Sequence, residues 1–523
     1  MHLLDMNVML GPTQDDAEPS FQSADALLEE MDRLDIAEAL VYSSHARYGH
    51  PREGNWRLFE QLEGHRDRLH PCWLLLPPGT AELPAPAQMV RQMRENGVRA
   101  ARLLPGQHLF QVSRRILGPL LEALDAEAMP LILDLERHHW SDMSPWDAIF
   151  DLCEAYPRLP VILLREGGDA PRVMYHLWDE FPNLYLETSY MQSANCLEEV
   201  CERFGSGRVL FGGGMPMYDA GGAIATVRGS RLTGQQRAGI AGNNARRLLG
   251  LKAGPKTMHP DWPVATGGMR VWDIHGHLGP WYKVPYPVYD AADTVRRMDE
   301  VGVERFVVSD IQAIENDPDS GNTRAIAAAA EYPGRLYVYA GYSPSKYAKN
   351  IGAFERFLDQ PGVVGIKFHC QLHNTPPESP KYRPAFEVAN ERRLPILTHG
   401  VLPLDLLRSL LTELPGLIYI AAHFAASPPE AHEPYLAIAR AFSNFYYDTT
   451  GSTVLRGGFA RLVEQMPAEQ ILYGSDFPIM DFPYQLGRVL YADISDEVKR
   501  KILWENPARV YHRAGGAEKG GGV

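Results

Sequence analysis

Residues 27–43, LLEEMDRLDIAEALVYS, and residues 294–310, TVRRMDEVGVERFVVSD, carry one pattern twice. Each is an amphipathic helical stretch that runs into a nearly continuous apolar strand. Met31-Asp32 matches Met298-Asp299 at an offset of 267, and Gly54-Asn55 matches Gly321-Asn322 at the same offset. PLILD (130–134) then matches PILTH (395–399), and LFGGGMP (210–216) matches LYGSDFP (472–478). Asn244 in NNARRLLG pairs in the same way with Asn506 in ENPARVYH. The offset shrinks slowly and in one direction, as small loop deletions would make it. The chain is therefore expected to hold two copies of one domain, at 1–250 and 269–514. The Pro- and Gly-rich stretch 251–268 (LKAGPKTMHPDWPVATGG) joins them as a linker, and 515–523 forms a flexible tail.

In the second copy the apolar strands are RVWDIH, RFVVSD, LYVYAG, VVGIKFH, LPILTH, LIYIAAH, FYYDTT and ILYGSD. Helical stretches such as DAADTVRRMDEVG and RPAFEVANERR lie between them. Strands without polar alternation, separated by helices, predict a parallel sheet covered on both faces. Eight such units per copy predict two tandem (β/α)8 barrels, with a doubly wound open sheet as the alternative.

The 523 residues are 45% hydrophobic and 22% charged, an ordinary globular composition. A net charge of −14 argues against nucleic acid or an anionic membrane as the main partner. The five cysteines (Cys72, Cys153, Cys196, Cys201 and Cys370) show neither CxxC nor zinc-finger spacing, so reduced thiols and a cytoplasmic location are expected. The segment MHLLDMNVML lacks the basic region of a signal peptide, and no apolar run reaches the length of a membrane span.

Strands of the second copy end in chemistry-bearing residues: Asp273, His275 and His277; Lys367 and His369; His399; His423; Asp476. The C-terminal strand ends are where barrel enzymes keep their active sites. Strand periodicity places Asp273, His275 and His277 on one face. Imidazoles with a carboxylate suit zinc, manganese or iron. Singly, each has a plainer reading. A strand-end histidine can be a satisfied structural residue, Asp476 a helix cap, and Lys367 a stem lying along the barrel rim. Four separate strands delivering such residues in one half favour a site.

DIHGH (273–277), GIKFH (365–369), ILTHG (396–400), AAHFA (421–425), YGSDFP (473–478) and ENPARVY (505–511) resemble the amidohydrolase superfamily, in its amidohydrolase-2 branch. The resemblance implies one divalent metal ion, zinc first and manganese or iron as alternatives. His275, His277, His399 and Asp476 would be its ligands. Asp476 would also take a proton from water, and His423 would shuttle protons beside the metal. Lys367, which bridges two metals in binuclear relatives, would line the substrate pocket with His369, Trp281 and Tyr282. Tyr286, His373 and Arg392 are further pocket candidates; for Trp281, Tyr282, Tyr286 and Arg392 a surface or packing role is the alternative.

In the first copy Asn7 and Met9 stand for the two leading histidines, Arg102 for Lys367, Asp134 for His399 and Gly214 for Asp476; Glu166 falls near His423. Asp5 alone keeps its counterpart, Asp273. The expectation is a degenerate, catalytically silent barrel that pairs with the second half as an intramolecular pseudo-dimer, with a further homo-oligomer as the larger alternative. An ion-pair cluster around Asp134 is the simplest reading of its centre, beside a hard-cation site or a retained small-molecule pocket. The leading function is hydrolysis of an amide, lactone or ester of a small molecule. Non-oxidative decarboxylation of an aromatic or unsaturated acid uses the same ligands, and some relatives are metal-free lactonases. A non-enzymatic binding or regulatory protein is the reading from another class.

Overall fold

The structure is a computed structural model; it describes residues 3–14, 19–136, 144–165, 170–257, 268–287, 290–423, 429–452 and 456–514. The chain divides into two compact units, Met1–Asp261 with Lys283–Pro285, and Trp262–Tyr282 with Tyr286–Val523. Among the described residues no helix is long and apolar enough to cross a membrane. All five cysteines are free thiols.

The first unit contains β1 (Leu3–Leu10), β2 (Ile36–Ser43), β3 (Leu69–Leu74), β4 (Ala100–Leu103), β5 (Leu131–Leu133), β6 (Val161–Leu163), β7 (Leu184–Glu187) and β8 (Val209–Leu210). The second contains β9 (Trp272–Leu278), β10 (Arg305–Asp310), β11 (Leu336–Gly341), β12 (Val363–Phe368), β13 (Pro395–Thr398), β14 (Ile418–Ala421), β15 (Phe445–Asp448) and β16 (Ile471–Leu472). In both sheets strand order is chain order and every neighbouring pair is parallel. First and last strands also meet. Met6 N–H donates to Phe211 O (3.0 Å), and Ile274 N–H to Tyr473 O (2.9 Å), so each sheet closes on itself and leaves no edge. Both units are (β/α)8 barrels, and the open sheet is excluded.

Local chemistry explains the units. Asp290 caps the helix Ala291–Val301 by accepting from Asp293 N–H, and Gly302 ends it at φ 83°. Ser23 caps the matching helix Ala24–Arg33 by accepting from Ala26 N–H. The strand that follows each helix is almost wholly buried, because the barrel interior covers one face and the helices the other.

The simple strand period fails in the first strand of each barrel. Asp273 pairs with Phe306, but Gly276 pairs with Val308, so β9 spends one more residue than β10 over that span. This is a β-bulge. It puts Asp273 out of phase with His277, which pairs with Ser309. Asp273 therefore does not share a face with the histidines, contrary to the alternation expected from sequence. β1 has the same bulge: Asp5 pairs with Ala39 and Val8 with Val41. Beneath the bulge, Trp272, Ile274, Val307, Tyr339, Leu397, Ile420 and Leu472 form one buried layer.

The matched asparagines are braces. Asn322 Nδ2 donates to Gly341 O (3.0 Å) and its Oδ1 accepts from Gly341 N (2.6 Å); Asn55 does the same to Leu74. Asn506 donates to Ala468 O and Ile471 O, as Asn244 does to Ser206 O and Val209 O. The glycine beside each first-type brace is required by close approach. A Cβ at Gly54 would lie 2.1 Å from Ala46 N, and one at Gly321 2.3 Å from Ala313 N.

Asn322→Leu would strand both backbone groups of Gly341 in the interior. The expected destabilisation is about 2–4 kcal/mol, read as a lower denaturant midpoint at unchanged m-value. Wild-type stability would show the brace to be dispensable.

Candidate functional site

The polar strand ends of the second barrel converge. His275 Nε2 and His277 Nε2 lie 3.5 Å and 2.9 Å from Asp476 Oδ1. Lys367 Nζ lies 2.9 Å from His275 Nε2. One donor atom from each of His275, His423 and Asp476 falls within 4.8 Å of the others. His277 and His399 lie outside that three-way group. His277 adjoins Asp476, whereas the His399 ring centroid is 4.5 Å from that of His423 and stacks 3.7 Å from that of His369.

Two of these residues adopt left-handed backbone, Asp476 at φ 68° and His423 at φ 59°. Such a conformation is unfavourable for residues with a Cβ and persists where the surroundings hold it. Asp476 N–H donates to His275 O (2.7 Å), and His423 N–H to Asp448 Oδ1 (2.8 Å).

Asp448, at the end of β15, is the site residue that the sequence reading passed over. Its Oδ2 accepts from His275 Nδ1 at 2.6 Å, and its Oδ1 takes the backbone N–H groups of His423 and Thr450. One carboxylate therefore orients one imidazole and holds the backbone of another. The signal was present in FYYDTT, a strand ending in Asp. Ser309 Oγ likewise holds His277 Nδ1 at 3.1 Å. Asp273 plays a different part. Its Oδ1 accepts from His275 N and Ser475 N, tying the bulge to the end of β16.

Burial drives the electrostatics. It lowers the pKa of His275, His277 and His399, takes His423 down to about 4 and His369 to about 2, so all five rings are neutral at neutral pH. Burial also lowers Lys367, to about 8, against the pull of Asp476 and Asp448. For Asp476 burial acts upward, but the surrounding imidazoles, His275 foremost, outweigh it and hold the carboxyl well below its usual range.

These residues fit a cation. Asp476 Oδ1 is buried and has no hydrogen-bond partner among the described residues. The Nδ1 atoms of His275 and His277 are engaged by Asp448 and Ser309, while the Nε2 atoms approach Asp476. Neutral rings fixed through one nitrogen and presenting the other to a carboxylate are what a divalent ion requires. The Lys367 ammonium already brings positive charge to the Nε2 of His275.

The remaining pocket candidates sit differently. Trp281 and Tyr282 pack edge-to-face, and Tyr282 is 65% exposed. Tyr286 Oη donates to Gly279 O, and His373 Nδ1 meets Tyr382 Oη. Arg392 pairs with Glu355 and Asp359 at the surface, so its surface alternative is the correct one.

The first barrel keeps the braces and changes the donors. Asp5 Oδ1 accepts from Asn7 N and Gly213 N, as Asp273 does from His275 N and Ser475 N. Glu187 accepts from Arg165 N (3.0 Å) as Asp448 does from His423 N, and Arg165 is left-handed at φ 58°. Arg165 is thus the counterpart of His423. Glu166, placed there by sequence spacing, lies outside the described residues. Arg102 donates to Asn7 Oδ1 (3.0 Å) and to Asp134, which Arg165 also engages; Arg47 reaches Glu136 at 2.9 Å. Asn7 and Asp134 thus spend their oxygens on guanidinium groups, which makes a hard-cation site there untenable.

The family model described as amidohydrolase matches the chain twice, over residues 8–251 and 272–513. Among solved structures, a 5-carboxyvanillate decarboxylase from Sphingomonas paucimobilis is 15% identical, covering 47% of this chain and 99% of its own, at a TM-score of 0.38. A dihydroxybenzoic acid decarboxylase from Polaromonas, with bound manganese and 2-nitroresorcinol, is 16% identical, covering 46% and 97% at 0.36. No curated protein matches the chain.

Asp448→Asn tests the orienting role. Its Oδ1 must still serve the N–H groups of His423 and Thr450, which turns its NH₂ toward His275 and forces the proton onto Nε2. Affinity of the metal-free protein for zinc or manganese, read by chelator competition, should fall about 10- to 100-fold with the fold intact. Unchanged affinity would mean that His275 orients without Asp448.

Proposed function

The chain belongs to the amidohydrolase family, whose members include metal-dependent hydrolases and carboxy-lyases, and from that membership we propose that its second barrel is a metal-dependent hydrolase of an amide, lactone or ester in a small organic substrate. The carrying observation is the buried, unpartnered Asp476 Oδ1, faced by the Nε2 atoms of His275 and His277. In this reading His275, His277, His399 and Asp476 hold one divalent ion, zinc first among zinc, manganese and iron. Such an ion, when bound, acidifies water and polarises a substrate oxygen.

The chain's own groups do the rest. Asp476, kept ionised by the imidazoles around it, accepts the proton released by the attacking water. His423 stands within 4.8 Å of both Asp476 and His275 and is neutral, so it can take that proton on and deliver it to the leaving group. Lys367, buried against His275, presents a cation to an anionic part of the substrate. That feature also supports the second reading, non-oxidative decarboxylation. There Lys367 steadies the departing carboxylate and His423 protonates the carbon. The first barrel, without the donor set, takes no part in this reaction.

Metal content per chain is the direct test. Wild-type protein purified without chelator should carry about one zinc, manganese or iron, and His275→Ala/His277→Ala should carry none and turn over nothing while staying folded. Turnover by the double variant would reject the metal mechanism. Lactone and amide panels against aromatic acids, with carbon dioxide release as the readout, separate hydrolysis from decarboxylation.

The roles of the two outer imidazoles separate by substitution. His399→Ala should lose the metal. His423→Ala should keep it and lose about 10²- to 10⁴-fold in kcat. The opposite pattern would exchange the two residues, making His423 the ligand.

A further inference from the structure

We propose that the mouth of the first barrel is a binding site for a small carboxylate anion. Its place in the fold is that of the second barrel's centre. Arg102 is the penultimate residue of β4, as Lys367 is of β12, and Arg165 takes the left-handed position of His423. Where Asp476 brings negative charge to the second centre, the first has Gly214, φ 74°, with no side chain to bring it. The same frame that gathers neutral imidazoles and a carboxylate in one barrel gathers guanidinium groups in the other.

Arg47, Arg102 and Arg165 converge on Asp134, their Nη atoms engaging its two oxygens, with Arg47 Nη1 the farthest at 4.0 Å. Among the described residues, Asp134 and Glu136 are the carboxylates paired with them. Asp5 and Glu187 are held by backbone N–H groups and make no side-chain hydrogen bond to the three guanidiniums among the described residues. The pairing is also incomplete. The Nε of Arg47, of Arg102 and of Arg165 is buried with no hydrogen-bond partner among the described residues. Orphaned guanidinium N–H groups are costly in an interior, and an incoming oxyanion would satisfy them.

A carboxylate suits the geometry better than a spherical halide. Asp134 already shows the match, each oxygen taking a guanidinium nitrogen. Two aromatic rings complete the surroundings: Arg102 lies 3.8 Å over the Tyr42 centroid and Arg165 5.7 Å from that of Tyr218. They would flank the flat body of an unsaturated or aromatic acid. Arg47, with 10% of its side chain exposed, is the most accessible of the three arginines. The inference is independent of whether the second barrel holds metal.

Calorimetric titration of the full chain, made metal-free and carrying His275→Ala/His277→Ala, removes the second barrel's metal centre from the reading. Benzoate and inorganic phosphate are the probes, each at two salt concentrations. Saturable benzoate binding is expected, weakened at high salt and at least 10-fold weaker in Arg47→Gln, which leaves the Arg102–Asp134 and Arg165–Asp134 pairs in place. Arg165→Lys, which keeps the charge and loses the planar fork, should also weaken benzoate. Phosphate binding with benzoate excluded would overturn the carboxylate assignment. So would absence of binding, or benzoate binding untouched by both substitutions.

Discussion

Asp273 and its twin Asp5 hold the rest of the architecture in place. Each buried carboxylate binds two backbone N–H groups, one from its own strand and one from the end of the last strand in its barrel. The contact seals the barrel and fixes the extra residue of the bulge. Without the bulge, strict alternation would turn Trp272 and Ile274 away from the interior layer whenever the histidines turned toward it. With it, one strand supplies both an apolar floor and a polar mouth. The cost is visible in the carboxyl itself: burial raises Asp273 well above its usual range and Asp5 to about 7. Deep burial of these carboxyl groups is offset by the two backbone N–H groups that each one accepts.

A second carboxylate, at the end of the seventh strand, transmits that order to the site. Asp448 and Glu187 both accept the N–H of a left-handed residue on the preceding strand. What differs is the side chain carried on that fixed backbone. His423 is a neutral ring, and Arg165 is a permanent cation paired with Asp134. The two barrels thus share a skeleton of buried hydrogen bonds and diverge in charge at its surface. Divergence of this kind is cheap in stability, because the orienting groups bind backbone atoms, which every residue type supplies.

Much of this was legible in the sequence. All eight strands of the second copy, the repeat offset and the asparagine pairs Asn55/Asn322 and Asn244/Asn506 are periodic or local features, and a linear reading captures them. Three things were not. The bulge broke the two-residue period, because pairing register belongs to two strands and is invisible in one. Asp448 was not legible because its part, accepting from His275 Nδ1 and His423 N–H, is set by residues of two other strands. The slip from Arg165 to Glu166 has a similar origin, since an alignment by spacing has no means of locating a left-handed residue. Arg392 was drawn toward the site by its charge alone, and its partners Glu355 and Asp359 hold it at the surface.

The difference between the barrels follows from desolvation. A buried site must choose how its charges are neutralised. In the second barrel burial strips the imidazoles of their protons and leaves Asp476 ionised among them, an arrangement with spare lone pairs that a divalent ion completes. In the first barrel the cations are arginines, which burial does not neutralise, so charge balance has to come from carboxylates. Asp134 supplies most of it, and burial is outweighed there by Arg165, Arg102 and Arg47, which hold its carboxyl far below the usual range. One frame therefore carries neutral imidazoles around a carboxylate in one barrel and guanidinium groups around a carboxylate in the other. Where the second barrel has His275, His277, His399, His423, Lys367 and Asp476, the first has Asn7, Met9, Asp134, Arg165, Arg102 and Gly214, and the charge carried at the strand ends changes with them.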